Sequence, residues 1–294
     1  MNSSKIKFSF MTTAMLLQAL SREHGMADIA DLKKLYKEIL KTVSDAGIHT
    51  VEITTLELEL FGKDYVRKIL AGNHLTAGGM VHFDTFAAVN KEEAGHIIEK
   101  ACRAVDEAES LGVKIVMLAL AVQEDISGYS MEELATALAE NIRPIAVYGK
   151  TKGIRVCVED TPEVTLPLCS INETRALLDA VPELYLAYDS GNMLIKHENP
   201  VSYYEAFRER ICHIHLKDMA YVPDEEPGDM DISGKKMRGA IHGQGIVDFC
   251  TLANCMKQNG YQGYAVIEYT ALDNHYRNIK DAVAYLEKCF GKRV

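Results

Sequence analysis

Short apolar runs and longer amphipathic segments alternate along the chain. Residues 113–120 are almost wholly apolar, which is typical of a parallel strand covered on both faces. Apolar side chains between Leu32 and Val43 recur instead at helical spacing, and Gly47 ends that helix. The pattern predicts strands over residues 6–12, 48–53, 75–83, 113–120, 154–159, 184–189, 211–218 and 264–269. Among the intervening helices are residues 63–70, 200–210, 248–260 and 274–290, and capping signatures open three others at Asn90, Ser130 and Ser170.

This order of elements limits the fold to two architectures. Eight strands alternating with eight helices form either a closed (β/α)8 barrel or a doubly wound sheet. Because no Gly-rich dinucleotide-binding turn is present, we expect the closed barrel, a TIM barrel. With 294 residues and no linker or internal repeat, we expect one domain over residues 1–294. Residues 219–245 then form an irregular βα loop of about 27 residues, long enough to act as a lid.

The strand predicted over residues 211–218 carries a row of polar side chains. Alternation places His213, His215 and Lys217 on one face and Cys212, Ile214 and Leu216 on the other. Burying an imidazole beside an ammonium is costly unless the groups are paired or bind a ligand. We therefore expect His215, at the end of the strand, to be functional, and His213 to lie in the barrel interior.

Four successive predicted strands end on side chains that can bind a metal. These are Glu159, Asp189, His215 and Glu268. Each has an ordinary alternative, namely an Asx turn, a core histidine or a carboxylate at a helix start. In a barrel, however, the carboxyl ends of the strands meet at one mouth, where active sites lie. The coincidence predicts a single metal site made by all four.

The ligand set indicates the ion and the chemistry. Three carboxylates and one imidazole suit Mn²⁺, Mg²⁺ or a similar octahedral ion better than structural zinc. Such an ion can polarise a carbonyl and the neighbouring hydroxyl, and so stabilise an enediolate. Glu159 and Glu268 come from different sides of the site, so one can remove a proton and the other return it.

Further polar residues are candidates for binding substrate. Lys217 shares the face of His215, although an ion pair with Glu52 or Glu268 is an equal alternative. His82 and Glu52, at the ends of two earlier strands, are expected to point towards the mouth, or to support the ligands or the core. Within the long loop, the candidates that could close over a substrate or phosphate are Arg238, His242 and Gln244.

Composition excludes several classes of function. The formal net charge of −10 disfavours binding to nucleic acid or an anionic membrane. No apolar run is long enough to span a bilayer and no signal peptide is recognisable, so we expect a cytoplasmic protein. Seven cysteines without a C-x-x-C pair argue against a disulfide framework and a thiolate zinc site. We expect a small-molecule substrate, and exposed barrel faces that could pair two copies.

The strand-end motifs resemble those of the xylose isomerase-like barrel family of sugar phosphate isomerases and epimerases. They read Val-Cys-Val-Glu159-Asp, Tyr-Asp189-Ser-Gly-Asn, His-Ile-His215-Leu-Lys-Asp, Gly243-Gln-Gly-Ile-Val-Asp-Phe and Val-Ile-Glu268. The resemblance implies one divalent ion, often manganese and otherwise Mg²⁺, Co²⁺ or Zn²⁺, on Glu159, Asp189, His215 and Glu268. It also implies a sugar or sugar phosphate substrate, with the two glutamates as acid and base.

Other branches of the superfamily give the alternatives. The ketose 3-epimerases usually have a histidine where this chain has Asn192, which counts against that branch. Inosose and dehydroshikimate dehydratases use similar ligands, so a lyase is an open alternative to an isomerase or epimerase. A sugar-binding subunit without catalysis is opposed by the intact Glu159 and Glu268. An endonuclease IV-like DNA repair enzyme would need more histidines than residues 115–118 and 237–239 supply.

Overall fold

Eight parallel strands close into a barrel in the computed structural model, which describes residues 6–14, 16, 28–121, 126, 128–271 and 279–291. The barrel strands are β1 (Lys7–Met11), β2 (Thr50–Thr54), β3 (Thr76–Asp84), β4 (Ile115–Leu120), β5 (Arg155–Glu159), β6 (Tyr185–Asp189), β7 (Ile211–Leu216) and β11 (Tyr264–Ile267). Around the barrel their order is β1-β11-β7-β6-β5-β4-β3-β2. This arrangement confirms the predicted TIM barrel.

Helices pack around the barrel and bury their apolar faces against it. They are α1 (Ile29–Asp45), α2 (Thr55–Phe61), α3 (Lys63–Gly72), α4 (Lys91–Leu111), α5 (Met131–Thr151), α6 (Ile171–Ala180), α7 (Pro200–Phe207), α8 (Phe249–Gln258) and α9 (Ile279–Phe290). A 3₁₀ helix spans Asn192–Lys196. The predicted start of the last helix at Asn274 lies outside the described residues. None of the helices in the described ranges has the length and apolar character needed to cross a bilayer.

An additional helix, α2, follows β2 directly and was not expected from the sequence. The Thr54 side chain caps it, and the Glu57 carboxylate in return accepts a hydrogen bond from the Thr54 N–H at 2.9 Å. The other oxygen of Glu57 accepts hydrogen bonds from the hydroxyls of Thr12 at 2.6 Å and Thr13 at 3.1 Å. Glu57 is fully buried, so a single carboxylate joins the ends of β1 and β2.

The long segment after β7 is more ordered than the sequence indicated. Residues 219–245 were expected to be irregular, but they contribute to an antiparallel sheet of β8 (Asp218–Val222), β9 (Asp229–Met230) and β10 (Lys236–Ala240). These strands are too short and too polar to give a clear period-two pattern. The Asp231 carboxylate lies 2.9 Å from His197 Nε2. This contact fixes the sheet next to the 3₁₀ helix.

Asp218 closes the base of this extension. Its carboxylate accepts hydrogen bonds from the backbone N–H groups of Gly243, Gly245 and Val247 at 2.8, 3.0 and 3.2 Å. A Cβ atom at Gly245 would overlap Asp218 Oδ1, which explains why glycine is needed at this close approach. The Gly-Gln-Gly turn therefore returns the chain to the end of β7.

The direction of the Cys212 side chain differs from the sequence-based prediction. The register between β6 and β7 shifts, with Leu186 opposite Ile211 but Ala187 opposite His213. This bulge breaks the alternation and turns Cys212 into the barrel interior beside Cys157, not onto the face of Ile214.

A disulfide joins Cys250 to Cys289, whereas the sequence argued against a disulfide framework. The two residues are 39 positions apart and meet because α8 packs against α9. This proximity depends on helix packing, which the spacing of cysteines in the sequence does not report.

Candidate active site

The four residues at the strand ends converge at the mouth of the barrel. Glu159 and Asp189 end β5 and β6, His215 is the penultimate residue of β7, and Glu268 follows β11 directly. One ligand atom from each lies within 4.8 Å of the corresponding atoms of the other three. The barrel therefore brings together the residues that its topology predicts should meet.

His215 lies at the centre of this group and is fully buried. Its Nδ1 atom is 2.6 Å from Glu159 Oε1 and 3.0 Å from Glu268 Oε2. The opposite ring nitrogen, Nε2, is 2.7 Å from an oxygen of Glu52. The two nitrogens thus face two different sets of carboxylates.

The loop after β6 orients the Asp189 carboxylate. Asp189 Oδ1 accepts hydrogen bonds from the backbone N–H groups of Gly191 at 2.8 Å and Asn192 at 2.7 Å. Its other oxygen, Oδ2, is buried and has no hydrogen-bond partner among the described residues. A buried carboxylate oxygen without a partner is costly. A divalent cation would satisfy this oxygen, so the donor set fits such an ion.

Electrostatics at the site also favours a cation. Burial, together with the charges of Glu268 and Glu159, raises the pKa of Asp189 well above its ordinary value. The charge of Lys217 opposes this shift but does not cancel it. Burial likewise raises the pKa of Glu159, although His215 opposes the shift. Burial would also raise the pKa of Glu268, but Lys217 and His215 outweigh it and lower that pKa. If fully ionised, the buried carboxylates would carry more negative charge than Lys217 and His215 balance, which a bound cation would offset.

Lys217 contacts the site directly. Its Nζ atom is 2.9 Å from Glu268 Oε1 and donates to Asn192 Oδ1, also at 2.9 Å. The hydroxyl of Ser190 accepts a hydrogen bond from the Lys217 N–H, and a Cβ at Gly191 would lie 3.1 Å from the Lys217 carbonyl oxygen. The Asp-Ser-Gly-Asn motif thus holds the loop against β7. Asn192 was not among the predicted site residues, although its place in that motif was a usable signal.

Glu52 lies below the ligand group, not at the open mouth. It is fully buried, and its carboxylate contacts His213 Nε2 at 3.2 Å as well as His215 Nε2. Burial would raise the pKa of Glu52, but the charges and hydrogen bonds of His215 and His213 outweigh it and lower the pKa to about 2. The second Glu52 oxygen, Oε1, lies 3.3 Å from the same two imidazole nitrogens.

His82 and Phe83 occupy opposite faces of β3. His82 Nδ1 is 3.0 Å from the Thr55 hydroxyl, and the ring packs edge-on against Phe86 outside the barrel. Phe83 instead shares its face with Val81, which belongs to the inner cluster of the barrel. Its side chain is 40% exposed at the mouth. Phe83 thus faces the mouth, whereas His82 does not, which leaves the core or supporting role that was the alternative for His82.

The three candidates from the extension have separate surroundings. Arg238 pairs with Glu226 within the extension. His242 is buried, with Nε2 2.7 Å from the Leu216 carbonyl oxygen and its ring between Phe249 and Tyr269. Gln244 is exposed in the turn. Arg238 is thus paired within the extension, and His242 is packed beside β7, close enough for the charge of Glu268 to act on its ring.

Comparison with known proteins places the chain in a family. A family model described as "Xylose isomerase-like TIM barrel" matches residues 40–289. An inosose dehydratase from Clostridium perfringens is 26% identical over 143 residues, which cover 47% of this chain and 48% of that protein. The chain therefore matches about half the length of these curated relatives.

Solved structures share the whole fold. The 3-keto-D-glucoside 4-epimerase from E. coli superposes with a TM-score of 0.68 at 16% identity, covering 97% of this chain and 100% of that chain. A xylose isomerase-like TIM barrel protein from Mycobacterium smegmatis, solved in complex with magnesium, gives a TM-score of 0.68 at 16% identity, covering 99% and 98%. At these identities the likeness shows the fold alone. Because the family model spans most of the sequence, this chain belongs to the xylose isomerase-like TIM barrel family.

Proposed function

We propose that this chain is a divalent-metal-dependent enzyme that moves a proton at the carbon beside a carbonyl of a sugar, a sugar phosphate or a related polyhydroxy compound. The convergence of Glu159, Asp189, His215 and Glu268, with a buried Asp189 oxygen that has no hydrogen-bond partner among the described residues, supports this proposal. Mn²⁺ is our first choice of ion, with Mg²⁺, Co²⁺ or Zn²⁺ as alternatives, because the set is rich in oxygen ligands.

The residues around the site have separate tasks in this reaction. When bound, the ion would supply positive charge against the negative charge that develops on the carbonyl oxygen and neighbouring hydroxyl of the substrate. Glu159 and Glu268 come from β5 and β11, which are separated in the barrel by β6 and β7. The two carboxylates thus approach the site from different strands, so one can accept the proton from a bound substrate and the other can return it.

Lys217 orients one of these carboxylates and can contact the substrate. Its Nζ atom holds Glu268 Oε1 at 2.9 Å and Asn192 Oδ1 at 2.9 Å. An ammonium group has three donors, so one N–H is left for a substrate oxygen. In this proposal Lys217 fixes the direction in which Glu268 presents its carboxylate.

Return of the proton gives an isomerase or epimerase, which is our leading proposal. Dehydration is the second candidate, and the matches to inosose dehydratases favour it. In a dehydratase the same proton removal is followed by loss of the hydroxyl on the next carbon, with an acid protonating the departing oxygen. Both reactions begin with the same step, so the ligand group is compatible with either.

The metal is tested first by measuring metal content. Protein purified without chelator should contain close to one divalent ion per chain, and Asp189→Ala should lose it. Glu173→Gln is a matched control, because this carboxylate caps α6 away from the ligand group. Full metal content in Asp189→Ala would overturn the ligand set.

The reaction is tested by incubating the enzyme in D₂O with ketoses, ketose phosphates and inososes. Deuterium incorporated at a retained carbon supports the isomerase or epimerase, whereas loss of water supports the dehydratase. Glu268→Gln should abolish both outcomes while substrate still binds. Unchanged turnover in that variant would exclude Glu268 as a proton carrier.

A further inference from the structure

We propose that Glu52 is the positioning residue of the metal centre: it holds the Nε2–H of His215 so that Nδ1 is presented to the ion between Glu159 and Glu268. This inference rests on the proposed metal dependence. The Glu52 carboxylate lies 2.7 Å from His215 Nε2, on the side of the ring opposite the two glutamates. A histidine ligand commonly donates its second ring N–H to a carboxylate, which fixes its tautomer and orientation.

Two strand irregularities lie beside this contact. Opposite β2, strand β3 has an extra residue, Gly78, so that Val51 pairs with Ala77 but Glu52 pairs with Gly79. On β7 the extra residue is Cys212, immediately before His213. A bulge re-aims the side chain that follows it on its own strand, so the second shift aims His213, whereas the first places a glycine opposite Glu52.

His213 provides a second support for the carboxylate. Its Nε2 atom lies 3.2 Å from Glu52 Oε2, and its ring packs against Gly79, where a Cβ would lie 3.1 Å from His213 Cε1. All three polar side chains of this contact are buried. Glu52 is thus held by two imidazoles and has little freedom to rotate away from His215.

The affinity for the metal ion distinguishes a positioning role of Glu52 from a purely structural ion pair. A carboxylate that only stabilises the fold would affect unfolding, with or without metal. A carboxylate that selects the Nε2–H form of His215 and keeps Nδ1 free must also affect the affinity for the ion. Removal of such a supporting partner typically weakens metal binding by about 10–100-fold.

The test is a Mn²⁺ titration of metal-free wild type, Glu52→Gln and Glu52→Asp, with free Mn²⁺ followed by electron paramagnetic resonance. We expect Glu52→Gln to bind Mn²⁺ about 10–100-fold more weakly than wild type. Glu52→Asp keeps the charge but retracts it by one methylene, so we expect an intermediate loss. Glu57→Gln is the matched control, since it removes a buried carboxylate that contacts threonines instead.

Thermal unfolding of each metal-free variant accompanies the titration. Equal Mn²⁺ affinity in wild type and Glu52→Gln, or an equal loss in Glu57→Gln, would overturn the positioning role. If wild type itself binds no metal, the proposed function fails, and this inference fails with it. Should the Glu52 variants not fold, ¹⁵N NMR of Mg²⁺-loaded wild type decides: a proton on Nε2 of His215 supports the proposal, and a proton on Nδ1 refutes it.

Discussion

Glu57 offers a quantitative test of how burial sets the pH dependence of stability. Burial raises the pKa of this carboxyl from its ordinary value of 4.5 to about 7, although hydrogen bonds from Thr12, Thr54 and Thr13 partly oppose the shift. In the folded protein the group therefore holds its proton up to a higher pH than in the unfolded chain. Its contribution to stability is complete below about pH 4.5 and is lost as the pH rises through about 7.

The size of this effect follows from the shift. A change of one pKa unit corresponds to about 1.4 kcal/mol, so the contribution amounts to about 3 kcal/mol. The variant Glu57→Gln cannot titrate at this position and should lack that part of the pH dependence. Its overall stability should also fall, because an amide has one acceptor oxygen and cannot serve both the threonine hydroxyls and the Thr54 N–H.

The assay is urea unfolding of wild type and Glu57→Gln, followed by circular dichroism between pH 4.5 and 8 with a chelator present. The free energy of unfolding of wild type, relative to the variant, should fall by about 3 kcal/mol across this range. Other titrating groups act in both proteins and cancel in the difference. Parallel profiles for the two proteins would refute the reasoning.

Glu133→Gln provides the control for this experiment. Glu133 occupies the same capping position in α5, but it is exposed, and hydrogen bonds from the backbone and hydroxyl of Ser130 lower its pKa. Its contribution should therefore have the opposite sign, being lost as the pH falls through the lowered pKa. A rise in stability with acidification for both glutamates would contradict the assigned causes.

Two further predictions concern the mouth and the extension. Phe83 lies on β3, four strands from β7 in either direction around the barrel, so a ligand at His215 would face its ring. Once a substrate is identified, Phe83→Ala should raise KM about tenfold with little change in kcat. His82→Ala should leave KM unchanged. Gly245→Ala should break the Asp218 clamp and lower the free energy of unfolding by about 1–3 kcal/mol, with faster proteolytic cleavage in residues 219–245. Unchanged cleavage in Gly245→Ala, or equal KM effects at Phe83 and His82, would contradict these assignments.

Local patterns were sufficient for the barrel and for the positions of the proposed ligands. Apolar runs of strand length, alternating with amphipathic helices and their caps, predict parallel strands buried on both faces. Once the strands are parallel and closed, their carboxyl ends must meet at one mouth. Glu159, Asp189 and Glu268 follow such runs directly, and His215 ends another, so their convergence follows from sequence position and topology together.

The sequence by itself therefore determined which residues stand at the strand ends, but only the tertiary structure decided which atoms face one another. Simple alternation misplaced Cys212, and position near the strand end did not show that His82 faces away from the mouth, because bulges and strand facing depend on pairing with neighbouring strands. The contact of Glu52 with His215, and the disulfide between Cys250 and Cys289, join segments distant in the chain. Hydrophobic periodicity indicates whether a side chain is buried. Which group a buried polar side chain contacts depends on how distant elements pack together, and periodicity within one element carries no information about that packing.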